Sequence, residues 1–177
     1  ADSDQRGVPV ESFLPMMAEF VKTGRLKFDP SKNDFPVTLH DPCNMVRQMG
    51  IVKPQRDILH KIAPQFREMT PHGVDNYCCG GGFAIMNSYN FGDFRNKVSA
   101  RTKFAQILNA FEDEIENPDI VKYVCAPCSN CKGTIRDLLQ AYKATARYNV
   151  QYGGIVELMV NGLASMDRPY FEFLEAE

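Results

Sequence analysis

Apolar residues recur along this chain in two rhythms that take turns. Phe13, Leu14, Met17, Phe20 and Val21 share one face of a helix that Ser12 can cap and Gly24 can stop. Residues 25–34 are polar, contain Pro and Asn, and read as a linker. Residues 35–40 form a short buried strand, and Asp41-Pro42 opens a turn and a short helix reaching Gly50. Pro54 starts a helix with Ile58, Leu59 and Ile62 inward; Pro64 ends it, and residues 66–69 are extended. A long helix over 92–115 places Phe94, Val98, Phe104, Leu108, Phe111 and Ile115 on one buried stripe, before Asn117-Pro118-Asp119 breaks it. Residues 120–124 are the second clear strand, and 129–147 a helix burying Ile135, Leu138, Leu139 and Tyr142. Residues 150–152 make a third strand, and Gly153-Gly154 leads into a last helix with Ile155, Leu158, Met159 and Leu163.

Strands alternating with helices predict an α/β fold, a parallel sheet flanked by helices in Rossmann-like layers. We divide the chain into a helix and linker over 1–34, one domain over 35–165 and a tail over 166–177. Open α/β sheets bind ligands beyond the carboxyl ends of their strands. Cys43 follows the first strand, and Cys125 and Cys128 follow the strand at 120–124. The cysteines therefore gather at strand ends, where helices begin and the helix dipole favours thiolates.

Composition narrows the function. With 177 residues the chain is about one domain, and 44% hydrophobic residues supply a core without disulfide staples. A formal net charge of −2 leaves no broad basic face for nucleic acid. There is no signal peptide and no apolar run long enough to span a bilayer. The opening Ala-Asp-Ser-Asp lacks an initiator Met and reads as a fragment, or a subunit missing its amino-terminal part. The 6 cysteines then point to metal or redox chemistry in a reducing compartment.

They fall in three clusters: Cys43, the run Cys78-Cys79-Gly80-Gly81-Gly82, and Cys125-x-x-Cys128-x-x-Cys131. Adjacent cysteines do not readily bond each other, but both can serve one metal centre. Four thiolates complete a zinc site. More than that, with a glycine-rich approach, favours an iron–sulfur cluster over zinc. His40 and His72 each lie near a cluster; the default is a structural histidine, and the functional alternative is a proton donor to a leaving thiolate. Asp41 is read as a cap on the turn into the Cys43 helix. Arg47, Lys53, Arg56, Lys61 and Arg67 read as a solvated basic face, with steering of an acidic partner as the alternative. Neither a G-x-x-x-x-G-K-[ST] nor a G-x-G-x-x-G fingerprint is present, which sets nucleotide binding aside.

Cys43, Cys78-Cys79-Gly80 and Cys128-x-x-Cys131 resemble the cysteine-rich CCG domain of heterodisulfide reductases over about residues 36–160. That domain recurs in iron–sulfur subunits of glycolate and lactate oxidases. The wording His40-Asp41-Pro42-Cys43-Asn44, Tyr77-Cys78-Cys79-Gly80-Gly81-Gly82 and Cys125-Ala126-Pro127-Cys128-Ser129-Asn130-Cys131-Lys132-Gly133 resembles DsrK-type subunits of the Dsr membrane complex. The resemblance implies a noncubane iron–sulfur cluster of [4Fe-4S] type. It would be held by Cys43, Cys78, Cys79, Cys128 and Cys131, with Gly80 and Gly81 beside it. It implies cleavage of a disulfide or trisulfide on a DsrC-like partner protein, or of a heterodisulfide. It also implies electrons from a quinone pool through other subunits, and a cytoplasmic domain attached peripherally to the inner membrane. Two features depart from the family: the wide spacing between Cys79 and Cys128, and the additional Cys125, which is a ligand or a buried free thiol. The ferredoxin-like motifs that feed electrons to such domains are absent from this chain. The competing readings are the electron-transfer subunit of a hydroxy-acid oxidase, and a docking module holding zinc or no metal in the same cysteines.

Overall fold

Four strands, Val37–Leu39 (β1), Phe66–Arg67 (β2), Lys122–Cys125 (β3) and Val150–Gly153 (β4), pair in the order β2-β1-β3-β4, every neighbour parallel. The computed structural model describes residues 11–82, 89–167 and 170–171. The α/β fold with a helix-flanked parallel sheet is therefore as the alternating rhythm predicts.

Each strand alternates its side chains between two cores. One holds Val37, Leu39, Tyr123 and Cys125, covered by helices Phe13–Lys22 (α1), Lys53–Ile62 (α2) and Ile155–Gly162 (α7) through Leu14, Ile58, Leu59 and Leu158. The other holds Val124, Ala126 and Val150. Helices Arg101–Ala110 (α4) and Ser129–Ala141 (α5) cover it through Ile107, Ile135, Leu138 and Leu139. α1 is thus part of the packed layers, although Ser12 makes no side-chain cap to it.

Two predicted helices are interrupted. The stretch read as one helix over 92–115 is a short α turn, Gly92–Phe94 (α3), a π turn, Arg95–Ser99, and then α4, which stops at Ala110. A π turn admits one additional residue and rotates what precedes it. Phe94 and Val98, expected in the core, are consequently more than half exposed at 53% and 57%. Lys143, at φ +54°, ends the second predicted helix and leaves Ala144–Tyr148 (α6) as a separate turn and a half.

The basic stretch divides: Arg47, Lys53 and Lys61 are exposed, as a solvated face predicts, while Arg56 and Arg67 are half-buried in ion pairs. Arg47 donates to the carbonyls of Val74 and Asn76, Arg56 pairs with Asp41 and Glu68, and Arg67 pairs with Asp113 and Glu114. β1 is central, with the chain crossing to β2 on one side and β3 lying on the other. The crevice between the β1 and β3 loops is thus the switch point where such sheets bind ligands.

Candidate metal centre

Three segments meet at that switch point. Cys43 follows β1 and heads a π turn, Asn44–Gln48, whose Met45 and Val46 amides return to the Pro42 carbonyl, each at 3.0 Å. Cys128 follows β3 and stands immediately before α5, and Cys131 lies in its first turn. The third segment brings Cys78 and Cys79 across the top. These five cysteines, with Asn44, Gly81, Gly82 and Asn130, line one cavity of ≈ 80 Å³. Of the predicted ligands, Cys43, Cys78, Cys79, Cys128 and Cys131 are therefore brought together.

The glycines divide their work. Gly81 and Gly82 line the cavity. Gly80 is buried at φ +85°, and a Cβ there would meet the Ala100 Cβ and Ser99 Oγ at 2.9 Å. It faces the start of α4, not the cavity, so its role is to let the Cys pair lie flat on that helix.

Cys125 lies elsewhere. It is the last residue of β3, paired with Leu39 and Gly153, and not beyond the strand as expected. The two-residue alternation puts it on the Tyr123 side, fully buried in the opposite core, where burial and Glu157 push its thiol up. His72 is exposed and does not line the cavity. His40 is 1% exposed, and one ring nitrogen lies within 4.8 Å of both the Cys79 and Cys131 sulfurs.

The sulfurs share protons. Cys79 Sγ and Cys131 Sγ are 3.4 Å apart. The Cys131 thiol first, then Cys78 and His40, hold Cys79 well below the ordinary thiol range. Cys131 is pushed up because its proton serves Cys128 and Cys79, and Cys78 because its own serves Cys79. Cys128 is lowered to about 6, chiefly by the Cys131 thiol, with the Cys131 and Asn130 amides of the α5 amino terminus adding to it.

Asp41 caps no helix. Its carboxylate takes two hydrogen bonds from Arg56, at 2.9 and 2.7 Å, and one from the Gly73 amide at 2.6 Å. This clamps the Cys43 loop to the segment leading into Cys78.

Two polar residues at the site escaped the sequence reading. Asn76 is buried and donates to the Asp41 carbonyl at 2.8 Å, with its Nδ2 3.3 Å from His40 Nδ1. Lys103 is 0% exposed on the inner face of α4, and its Nζ donates to Asn76 Oδ1 at 2.7 Å and to Gln106 Oε1. Burial pushes Lys103 down to about 7, against the pull of Cys79, Asp41, Cys78 and Cys131. The signal for it was present: Ala100, Lys103 and Ile107 fall three and four residues apart on a buried stripe, an unusual place for a cation.

A donor set of five thiol sulfurs around one cavity, walled by two glycines, fits an iron–sulfur cluster better than a single ion, which saturates at four ligands. The chain belongs to the family of cysteine-rich CCG domains, whose sequence model matches residues 37–136. Among curated relatives, it is 36% identical over 76 residues to an Hdr-like menaquinol oxidoreductase iron-sulfur subunit of Archaeoglobus profundus, 41% of this chain and 14% of that one. It is 29% identical over 127 residues to a subunit of the dihydromethanophenazine:CoB–CoM heterodisulfide reductase of Methanosarcina acetivorans, 71% of this chain and 28% of that one. It is 29% identical over 142 residues to an uncharacterized iron-sulfur protein of Methanocaldococcus jannaschii, 80% of this chain and 25% of that one. The chain thus spans 14–28% of the length of these relatives. No solved structure matches it. Among the described residues no helix is long and apolar enough to cross a membrane.

Proposed function

We propose that this chain is the cluster-holding domain of an iron–sulfur oxidoreductase subunit of the heterodisulfide-reductase type, acting on a disulfide or trisulfide. The observation that carries this reading is the convergence of Cys43, Cys78, Cys79, Cys128 and Cys131 on one cavity. Those five side chains would hold a noncubane cluster of [4Fe-4S] type. When bound, such a cluster supplies electrons one at a time, and two electrons with two protons turn one disulfide into two thiols. The protein's own part is to bind and to orient. Gly81 and Gly82 leave room at the cavity wall, and the exposed Cys78 marks its solvent side. The Asp41–Arg56 clamp fixes the Cys43 loop against the segment before the Cys pair.

The substrate in this reading is a DsrC-type protein or a heterodisulfide, and the partners are other subunits of a membrane-bound redox complex on the cytoplasmic side. The names of the Archaeoglobus and Methanosarcina relatives, an iron-sulfur subunit of a menaquinol oxidoreductase and a heterodisulfide reductase subunit, support the redox-subunit part of this reading. A second reading rests on His40, Cys79 and Cys131, whose ligand atoms lie within 4.8 Å of one another and could grip a single ion such as zinc.

Metal analysis of protein prepared without oxygen decides between them. The redox reading expects iron and acid-labile sulfide in comparable amounts and an EPR signal from the oxidised protein. Zinc with no iron and no signal would overturn it.

A further inference from the structure

Lys103 is a wholly buried lysine, and among the described residues its Nζ is held by neutral acceptors, not by a carboxylate. The acid nearest the site, Asp41, already has Arg56 on both its oxygens and the Gly73 amide besides. Its Nζ donates to Asn76, to Gln106 and, at 3.6 Å, to the Met69 sulfur, and the cup thiols Cys79, Cys78 and Cys131 lie near enough to act on it through charge. Burying a charge is costly unless it is hydrogen-bonded or paired, and neutral acceptors alone surround this one.

Its hydrogen bonds determine more than its own position. A lysine ammonium donates and never accepts, so the Asn76 atom 2.7 Å from Nζ is the amide oxygen. The Asp41 backbone carbonyl only accepts, so the Asn76 atom 2.8 Å from it is the amide nitrogen. Both constraints give the same orientation of the amide. Gln106 is fixed likewise: its Nε2 donates to the Pro71 carbonyl at 2.6 Å, turning its oxygen to Lys103. The second Asn76 amide hydrogen points along the 3.3 Å contact to His40 Nδ1, which must accept it. A neutral imidazole whose Nδ1 accepts carries its proton on Nε2. That atom is buried and has no other partner, on the ring that approaches Cys79 and Cys131.

We infer that Lys103, acting through Asn76, is the positioning residue that holds His40 as its Nε2–H tautomer, a fixed N–H donor directed at the Cys79 and Cys131 sulfurs. An Nε2 that bears hydrogen has no lone pair for a metal, so His40 serves the cup as a hydrogen-bond donor and not as a ligand. Donors and positive charge near sulfur stabilise the more negative, reduced state of an iron–sulfur centre and raise its potential. Only this electrical consequence rests on the function proposed above; the tautomer belongs to the metal-free chain.

Two measurements test it. Long-range proton–nitrogen NMR of the reduced, metal-free, nitrogen-15-labelled chain reads the protonation of each ring nitrogen. The chain has 3 histidines, so His60→Gln and His72→Gln complete the assignment. His40 is expected neutral with the proton on Nε2. In Asn76→Asp a carboxylate accepts from both Lys103 and His40, and the proton should move to Nδ1. A wild-type His40 that is doubly protonated or carries its proton on Nδ1 overturns the inference, as does an unchanged tautomer in the variant. In the iron-loaded chain, Lys103→Met and Asn76→Asp should each shift the midpoint potential downward. Unchanged potentials in both variants overturn the electrical role. A chain that takes up no iron overturns the proposed function and leaves the tautomer result to decide the rest.

Discussion

Cys79 and Cys131 come from segments on opposite sides of α4 in the sequence, yet their sulfurs touch at 3.4 Å inside the protein. The distance exceeds a disulfide bond, about 2.05 Å, but only small movements separate the two states. Mild oxidation of the metal-free chain should therefore link Cys79 to Cys131 before any other pair. Peptide mapping without reductant checks this. A dominant link through Cys43 or Cys125 would contradict the geometry. The same contact predicts that Cys79→Ser loses the visible absorption of the iron-loaded protein.

Cys125 should behave as core and nothing else. It is fully buried between Leu39, Tyr123 and the α7 side chains. Cys125→Ala should keep the iron content and spectrum of the parent and lower stability by about 1 kcal/mol. Cys125→Ser should cost about 1–3 kcal/mol, because a hydroxyl is left in apolar surroundings. Iron loss in the alanine variant, with folding intact, would place Cys125 among the ligands.

Gly80→Ala attacks the cup without touching a ligand. The residue sits at φ +85°, and its new methyl would meet Ala100 and Ser99 at 2.9 Å. Backbone strain of this kind costs about 1–3 kcal/mol, and relief requires moving the Cys pair away from α4. Both thermal stability and iron uptake should fall. Gly92→Ala, at the start of α3 with nothing within 4 Å of the added carbon, is the control and should change neither.

The thiols should titrate out of the order that their exposure suggests. Cys128 is lowered to about 6, first by the Cys131 thiol, while the exposed Cys78 is raised by sharing its proton with Cys79. In metal-free protein at neutral pH, iodoacetamide should label half-buried Cys128 ahead of Cys78, with half the maximal rate near pH 6. A folded value below the unfolded one means the unfolded state binds more protons in between. The stabilisation is full above the unfolded value of 9.0 and fades as pH falls through about 6. Faster labelling of Cys78 would refute the shared-proton arrangement.

The sheet and the cup were legible because they rest on local signals. Residues 35–40 and 120–124 are bounded apolar runs, and β1 and β3 lie within a residue or two of them. That small shift still mattered: extending β3 by one residue took Cys125 into the strand and turned it to the opposite face. The π turn at Arg95–Ser99 could not be read, because its additional residue leaves the apolar spacing intact while rotating Phe94 and Val98 outward. Asp41, read as a cap from its place before Pro42, was claimed instead by Arg56, a partner that only the packing of α2 brings near. Asn76 was invisible for the same reason, since its meaning lies in contacts between loops and α4, whereas Lys103 left a trace in the sequence as a cation on a buried stripe.

The strand order carries a consequence for assembly. β1 pairs with β3 through Val37 and Tyr123, residues distant in the chain, and the two outer walls of the cup hang from those strands. Such non-local pairing is late and slow. Until it happens Cys43 and Cys128 belong to separate loops, so the nascent chain offers no five-sulfur binding face. Loading is therefore tied to the fold: the five sulfurs face one another only in a chain whose central strands have joined.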